Sequence, residues 1–301
     1  MSPRSRRIAI LAERGFSPPG PLRFPFARLM TTSMVRDALA EDAAENDITT
    51  IATIVSGRRA RAAIVAREDG VIAGTALARE AFKQRDPRAS VRPAVKDGQR
   101  VSARTPVLFV TAHSLGLLSA ERVALNFMQR LSGIASLTHQ FVDAVAGTKA
   151  KILDTRKTTP GWRKLEKYAV RAGGGLNHRA DLASAVLIKD NHIAAIGGDV
   201  AMAITRAREV APEGTSIEVE CDTLEQVRTA VDAGPDIIML DNMDVGAMRE
   251  AVGVVDGRAV TEASGGVTLE TVRGIAETGV DWISVGAITH SVKALNLALD
   301  F

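Results

Sequence analysis

DTRKTTPGWRKLEKYAVRAGGGLNHR, residues 154–179, and AVLIKDNH, residues 185–192, read as two apolar strands that each stop abruptly in basic residues, with a helix between them. The pattern continues outward. KILDTRKT (151–158), IEVECDT (217–223), IIMLDNM (237–243), AVTEASGG (259–266) and WISVGAIT (282–289) are short apolar runs ending in polar ones. From Asp154 to Lys189, Glu220, Asp241, Glu262 and Gly286 the steps are 35, 31, 21, 21 and 24 residues. Helical stretches such as Leu224–Ala233 and Leu269–Thr278 fit between. Near-continuous apolar strands alternating with helices imply a parallel sheet buried on both faces. Six units predict a barrel or an open relative of one, with the polar strand ends facing an active site.

Upstream of this array the pattern differs. Thr31, Thr32 or Ser33 can cap a helix through about Ala44. Residues 60–112 read as short strands with turns at Glu68-Asp69-Gly70 and Lys96-Asp97-Gly98, around a helix at Ala76–Lys83. Helical spacing over Leu118–Leu131 leaves Arg122 off the core stripe; Ser132-Gly133 interrupts it, and a second helix runs on to Gly147. The expected organisation is an N-terminal α+β sandwich (31–130 plus 290–301), an α/β barrel (131–289) and a disordered extension (1–30).

Composition narrows the function classes. Among the 301 residues, 46% are hydrophobic and 24% charged, which is globular composition. A net charge of +3 with 4% aromatic residues argues against nucleic acid. No apolar run approaches the roughly 18 residues a membrane span needs. One cysteine, Cys221, excludes an intramolecular disulfide and points to a reducing, cytoplasmic compartment. Residues 1–36 carry seven Arg against one acid, which fits a basic tail or a transit peptide; Pro18, Pro19, Pro21 and Pro25 favour the tail.

The strand ends gather Thr155, Arg156, Lys157, Lys189, Glu220, Asp241, Glu262, Ser264, Gly265, Gly266 and Gly286 at one mouth, with His178 and Arg179 from the GGGLNHR loop. Ser264-Gly265-Gly266 lies between a strand and the expected helix at Leu269–Thr278, so its backbone N–H groups can meet a phosphate. Glu220 and Asp241 offer hard oxygens to Mg²⁺ or ribose hydroxyls, or pair with Lys189 or Arg156. Arg156, Arg179 and Lys189 together would repel one another without an anion, and a diacid suits them better than a monoacid. His113, His139 and His192 have no metal-ligand spacing, and Arg163, Lys164 and Lys167 read as a solvated helix face.

Together these motifs, with ECDT, MLDNM, EASGG and SVGAITHS, resemble the quinolinate phosphoribosyltransferases over about residues 31–301. The resemblance implies transfer of phosphoribose from phosphoribosyl pyrophosphate to quinolinate with loss of CO₂, giving nicotinate mononucleotide for NAD biosynthesis. It implies an incomplete barrel, an N-terminal sandwich, and a C-terminal helix packed on that sandwich. Arg156, His178, Arg179 and Lys189 would then bind the carboxylates, with Arg122 reaching in from the partner of a homodimer. Lys157 and Lys189 would touch the pyrophosphate. Glu220 and Asp241 would hold the ribose hydroxyls, directly or through Mg²⁺. The ribose phosphate would sit on Ser264, Gly265, Gly266, Val285, Gly286, Ala287 and His290. Three readings compete: a same-fold phosphoribosyltransferase using nicotinate without decarboxylation or another substrate, a barrel lyase or aldolase with Lys189 as Schiff base, and a non-catalytic anion-binding or regulatory protein.

Overall fold

The computed structural model describes Phe16, residues 21–55 and residues 57–301. The chain divides into two compact units.

One unit comprises Pro21–His139, Lys164–Gly174 and Val292–Phe301. Its helix α1 (Arg28–Glu41) buries Thr31, Val35 and Leu39 on one face. A four-stranded antiparallel sheet runs in the order β12 (Leu297–Asp300), β1 (Arg59–Ala66), β5 (Pro106–His113), β3 (Ser90–Pro93). The C-terminus is therefore a strand, not the helix that the family resemblance implies: Ala63 to Ala66 pair with Asp300 to Leu297. The sheet offers β1 an otherwise open edge, and the chain end covers it.

Helix α4 (Ser114–Ala144) is one continuous element, where a break was expected at Ser132-Gly133. Both residues are there for close approach. Ser132 Oγ accepts from the Ala73 N–H at 2.9 Å. A Cβ on Gly133 would lie 2.2 Å from the Lys293 carbonyl oxygen, so only glycine admits that strand of chain. Helix α5 (Arg163–Ala172) is a solvated face only in part: Lys164 is exposed and Arg163 half-buried, but Lys167 is not. Lys167 is 7% exposed and Glu166 fully buried, with Arg130 Nη2 2.7 Å from its Oε1.

The second unit contains Phe16, Gln140–Arg163 and Gly175–Ser291. Six parallel strands lie in the order β6 (Lys151–Leu153), β11 (Trp282–Ser284), β10 (Val260–Ser264), β9 (Ile237–Asp241), β8 (Ile217–Cys221), β7 (Val186–Ile188). Among the described residues β7 and β6 do not pair, so the barrel is incomplete. Crossover helices α8 (Leu224–Ala233), capped by the Thr223 hydroxyl, and α9 (Val245–Val255), capped by the Asp244 carboxylate, coat its outside. Burial of all five residues of β8 and four of five in β9 and β10 follows from being covered on both faces.

Strand alternation stacks the inward side chains in tiers. Ile237, Val260 and Trp282 lie at the strands' amino ends, and Asp241 and Ser264 at their carboxyl ends. Phe16 packs among Leu153, Ala185, Ile237, Val260 and Trp282 and is 3% exposed. The disorder expected for residues 1–30 otherwise falls on residues 1–15 and 17–20, outside the described residues, and on residues 21–30, which include the first turn of α1.

Candidate active site

At the carboxyl ends of the strands lies a cavity of about 410 Å³. Thr155, Arg156 and Lys157 enter it from the loop after β6, and His178 and Arg179 from the GGGLNHR loop. Leu187 and Lys189 come from β7 and its end, Glu220 from β8, Met239 and Asp241 from β9, and Ser284 from β11. Ser264, Gly265 and Gly266 close the remaining side. Most of the residues collected from distant strand ends therefore share one mouth.

The cationic side is crowded. Burial, and then the neighbouring Arg156 guanidinium, hold Arg179 below the ordinary arginine pKa. Arg179 Nη1 donates to the Ala185 carbonyl at 2.9 Å, while its Nε and that of Arg156 are buried with no protein acceptor among the described residues. Two guanidiniums this close, with donors unspent, form a receptor for carboxylates. Lys189 Nζ lies 2.9 Å from Glu220 Oε2, so the pairing considered from sequence occurs inside the mouth. An amine held by a carboxylate is kept protonated, which suits charge pairing better than nucleophilic attack.

On the acidic side, Glu220 and Asp241 are joined by Asp222, and their carboxylate oxygens lie within 4.8 Å of one another. Burial first, then Asp222, push Asp241 above its usual range. Such a set of crowded oxygens suits a hard cation or polyol hydroxyls. Asp222 was missed because it lies beyond its strand, where alternation no longer says which way a side chain points.

The loop expected to hold a phosphate lines the cavity, but the helix expected behind it does not reach it. The expected helix at Leu269–Thr278 is only α10 (Val272–Ala276), set back from Gly266, so no helix end supports the loop. What remains is backbone: Gly265 and Gly266 have φ of +94° and +57°, and a Cβ on Gly265 would fall 2.1 Å from Asn242 Oδ1. Val285, Gly286, Ala287 and His290 do not line the cavity. Val285 is buried, with its N–H spent on the Leu153 carbonyl at 2.9 Å. Gly286 is wedged beside a lining residue, since a Cβ there would be 3.1 Å from both Lys157 Cδ and His290 Nε2. Arg122 belongs to the other unit and is exposed on α4.

Beneath the mouth, Glu218 and Glu262 are fully buried beside His178, which is 5% exposed. Burial pushes each carboxyl up to about 8; Arg179 and Lys189 oppose the shift at Glu218, and Glu218 adds to it at Glu262. Glu262, expected at the strand mouth, does not line the cavity. Alternation sets it one step below Ser264, and EVE in β8 sets Glu218 below Glu220 in the same way. Cys221 is sealed in the core, where burial raises its thiol to about 12.

Residues 134–300 match the quinolinate phosphoribosyl transferase C-terminal domain and residues 47–132 its N-terminal domain. The chain is 48% identical to a nicotinate-nucleotide pyrophosphorylase [carboxylating] of Mycobacterium leprae, over 88% of this chain and 95% of that one. It is 46% identical to a mitochondrial quinolinate phosphoribosyltransferase [decarboxylating] of Nicotiana tabacum, over 87% and 79%. The solved nicotinate-nucleotide pyrophosphorylase of Francisella tularensis superposes with a TM-score of 0.86 at 38% identity, covering 92% of this chain and 98% of that one.

Proposed function

Because the chain belongs to the quinolinate phosphoribosyltransferase family, we propose that its barrel mouth binds quinolinate beside phosphoribosyl pyrophosphate and that the residues gathered there carry the reaction. The reaction is phosphoribosyl transfer to quinolinate with decarboxylation, yielding nicotinate mononucleotide, pyrophosphate and CO₂ in NAD biosynthesis. The observation that carries this assignment of roles is the pairing of Arg156 and Arg179 with unspent buried donors over a cluster of carboxylates.

Arg156, Arg179 and Lys189 take the two carboxylates of the acceptor. Glu220 and Asp241 take the ribose hydroxyls and stabilise the positive charge that grows on the sugar ring as pyrophosphate departs. Lys157 reaches the pyrophosphate, and Ser264, Gly265 and Gly266 receive the 5-phosphate through backbone N–H groups. Attack by the pyridine nitrogen on the anomeric carbon makes that nitrogen cationic. The electron pair freed when the adjacent carboxylate leaves as CO₂ is stabilised beside this cation and then protonated; Lys189 and water are the proton sources in the mouth.

The all-oxygen set of Glu220, Asp222 and Asp241 fits Mg²⁺, because it is acidic, crowded and free of sulfur and nitrogen ligands. When bound, the ion supplies charge compensation for the leaving pyrophosphate. A homodimer in which Arg122 completes the partner's acceptor site accounts for an exposed arginine without an ion-pair partner among the described residues. Mixing Arg122→Ala and Arg156→Ala subunits then regenerates activity that neither has alone; continued inactivity of the mixture contradicts the shared site. No helix among the described residues is long and apolar enough to cross a membrane; the single cysteine supports a cytoplasmic site of action.

The direct test incubates the protein with carboxyl-labelled quinolinate, phosphoribosyl pyrophosphate and Mg²⁺. Nicotinate mononucleotide and labelled CO₂ are expected in equal amounts, and only when all three are present. Product from nicotinate in place of quinolinate contradicts the assignment.

A further inference from the structure

Direct binding of a substrate carboxylate by His178 needs a ring nitrogen turned to the mouth. The geometry spends both nitrogens elsewhere. The Arg179 backbone N–H donates to His178 Nδ1 at 2.9 Å. A nitrogen that accepts carries no proton, so the neutral ring holds its hydrogen on Nε2. Nε2 lies 3.1 Å from Glu218 Oε2 and 3.5 Å from Glu262 Oε1. Neither contact is aligned as a hydrogen bond, but both set a carboxyl oxygen against the Nε2 side of the ring. A metal ion at Nε2 is disfavoured for the same reason, because ligation there would need the proton on Nδ1. The far side of the ring is closed by Phe16, edge-on with centroids 5.0 Å apart and planes at 70°.

We propose that Glu218 and Glu262 are positioning residues of the acceptor site: they hold His178 as the Nε2–H tautomer, and His178 Nδ1 holds the Arg179 backbone, so that the guanidinium of Arg179 meets the substrate carboxylate. His178 acts through Arg179 and not as a ligand. The chain around it is anchored by Asp154, whose carboxylate accepts from the His178 N–H at 2.9 Å and from Asn177 Nδ2 at 2.6 Å.

The decisive measurement is the tautomer of His178 in the wild-type protein, labelled with ¹⁵N-histidine and assigned with a His178→Gln variant. The Nε2–H form is expected, unchanged by saturating quinolinate. A ring that becomes an imidazolium, or shifts its hydrogen to Nδ1, when quinolinate binds overturns the proposal. Kinetics supply a second arm, which rests on the transferase reading. Glu218→Leu raises KM for quinolinate by about tenfold, the loss of about one supported charged hydrogen bond, while KM for phosphoribosyl pyrophosphate stays within about twofold. Glu218→Gln keeps an acceptor oxygen and restores most of the loss. Equal rises in both KM values, or none in either, contradict the positioning role. The tautomer measurement needs neither turnover nor a folded leucine variant, so failure of the transferase reading is told apart from failure of this proposal.

Discussion

The mouth of the barrel and the tier directly beneath it are both built from ionisable side chains, and they settle their charge in opposite ways. In the mouth, Arg156 and Arg179 keep buried Nε donors without a protein acceptor, and three carboxylates crowd together. Beneath, Glu218 and Glu262 lie beside His178 without solvent access of their own, and burial favours their protonated forms. Unmet donors beside a cavity mark ligand binding, whereas one step lower the carboxyls are sealed from water, favour the neutral form and pack against the residue that precedes Arg179. Below both, the floor is apolar, with Phe16, Trp282 and Val260.

The largest break in this contrast should come from the mouth. Arg156→Ala or Lys189→Ala is expected to lower turnover by about a hundredfold or more, equivalent to losing one preorganised charged contact, with unfolding temperature little changed. Near-wild-type turnover in either variant removes it from the receptor. Next comes the floor. Phe16→Ala opens a cavity in a well-packed site and should cost about 3 kcal/mol of stability by denaturant unfolding. A change within about 0.5 kcal/mol, the ordinary surface range, means that Phe16 is not packed as described.

The buried tier sharpens the contrast through pH. Glu262 has its folded pKa raised from 4.5 to about 8, so between those values the folded state binds more protons than the unfolded chain. Stability therefore falls as pH rises across this window. Glu262→Gln removes that contribution and flattens the slope. An unchanged slope in the variant argues that Glu262 stays ionised throughout.

Much of this was legible in residues 151–289. Strand ends from KILDTRKT to AVTEASGG lead to one cavity because a parallel sheet necessarily brings its carboxyl ends to one side. The helix at Leu224–Ala233 was bounded by its own cap and C-terminal glycine, Thr223 and Gly234. What stayed hidden depended on partners distant in sequence. Gly133 reads as a helix break until Lys293 is seen against it, and Lys167 reads as solvated until its helix is seen buried. The final residues read as helix through family likeness, yet they pair with β1. Glu218 is marked only by the EVE spacing, because the last polar residue of a strand signals a mouth position whereas the alternate one below it looks like part of the apolar run. Phe16 lies in a stretch with no periodicity to announce it.

The account turns on a cationic receptor matched to two carboxylates. Calorimetric titration of the wild-type protein with quinolinate and with nicotinate tests that match directly. Quinolinate is expected to bind at least about tenfold more tightly, since one hydrogen-bonded carboxylate contact is worth roughly 1.5–3 kcal/mol. Equal affinities, or tighter binding of nicotinate, would contradict it.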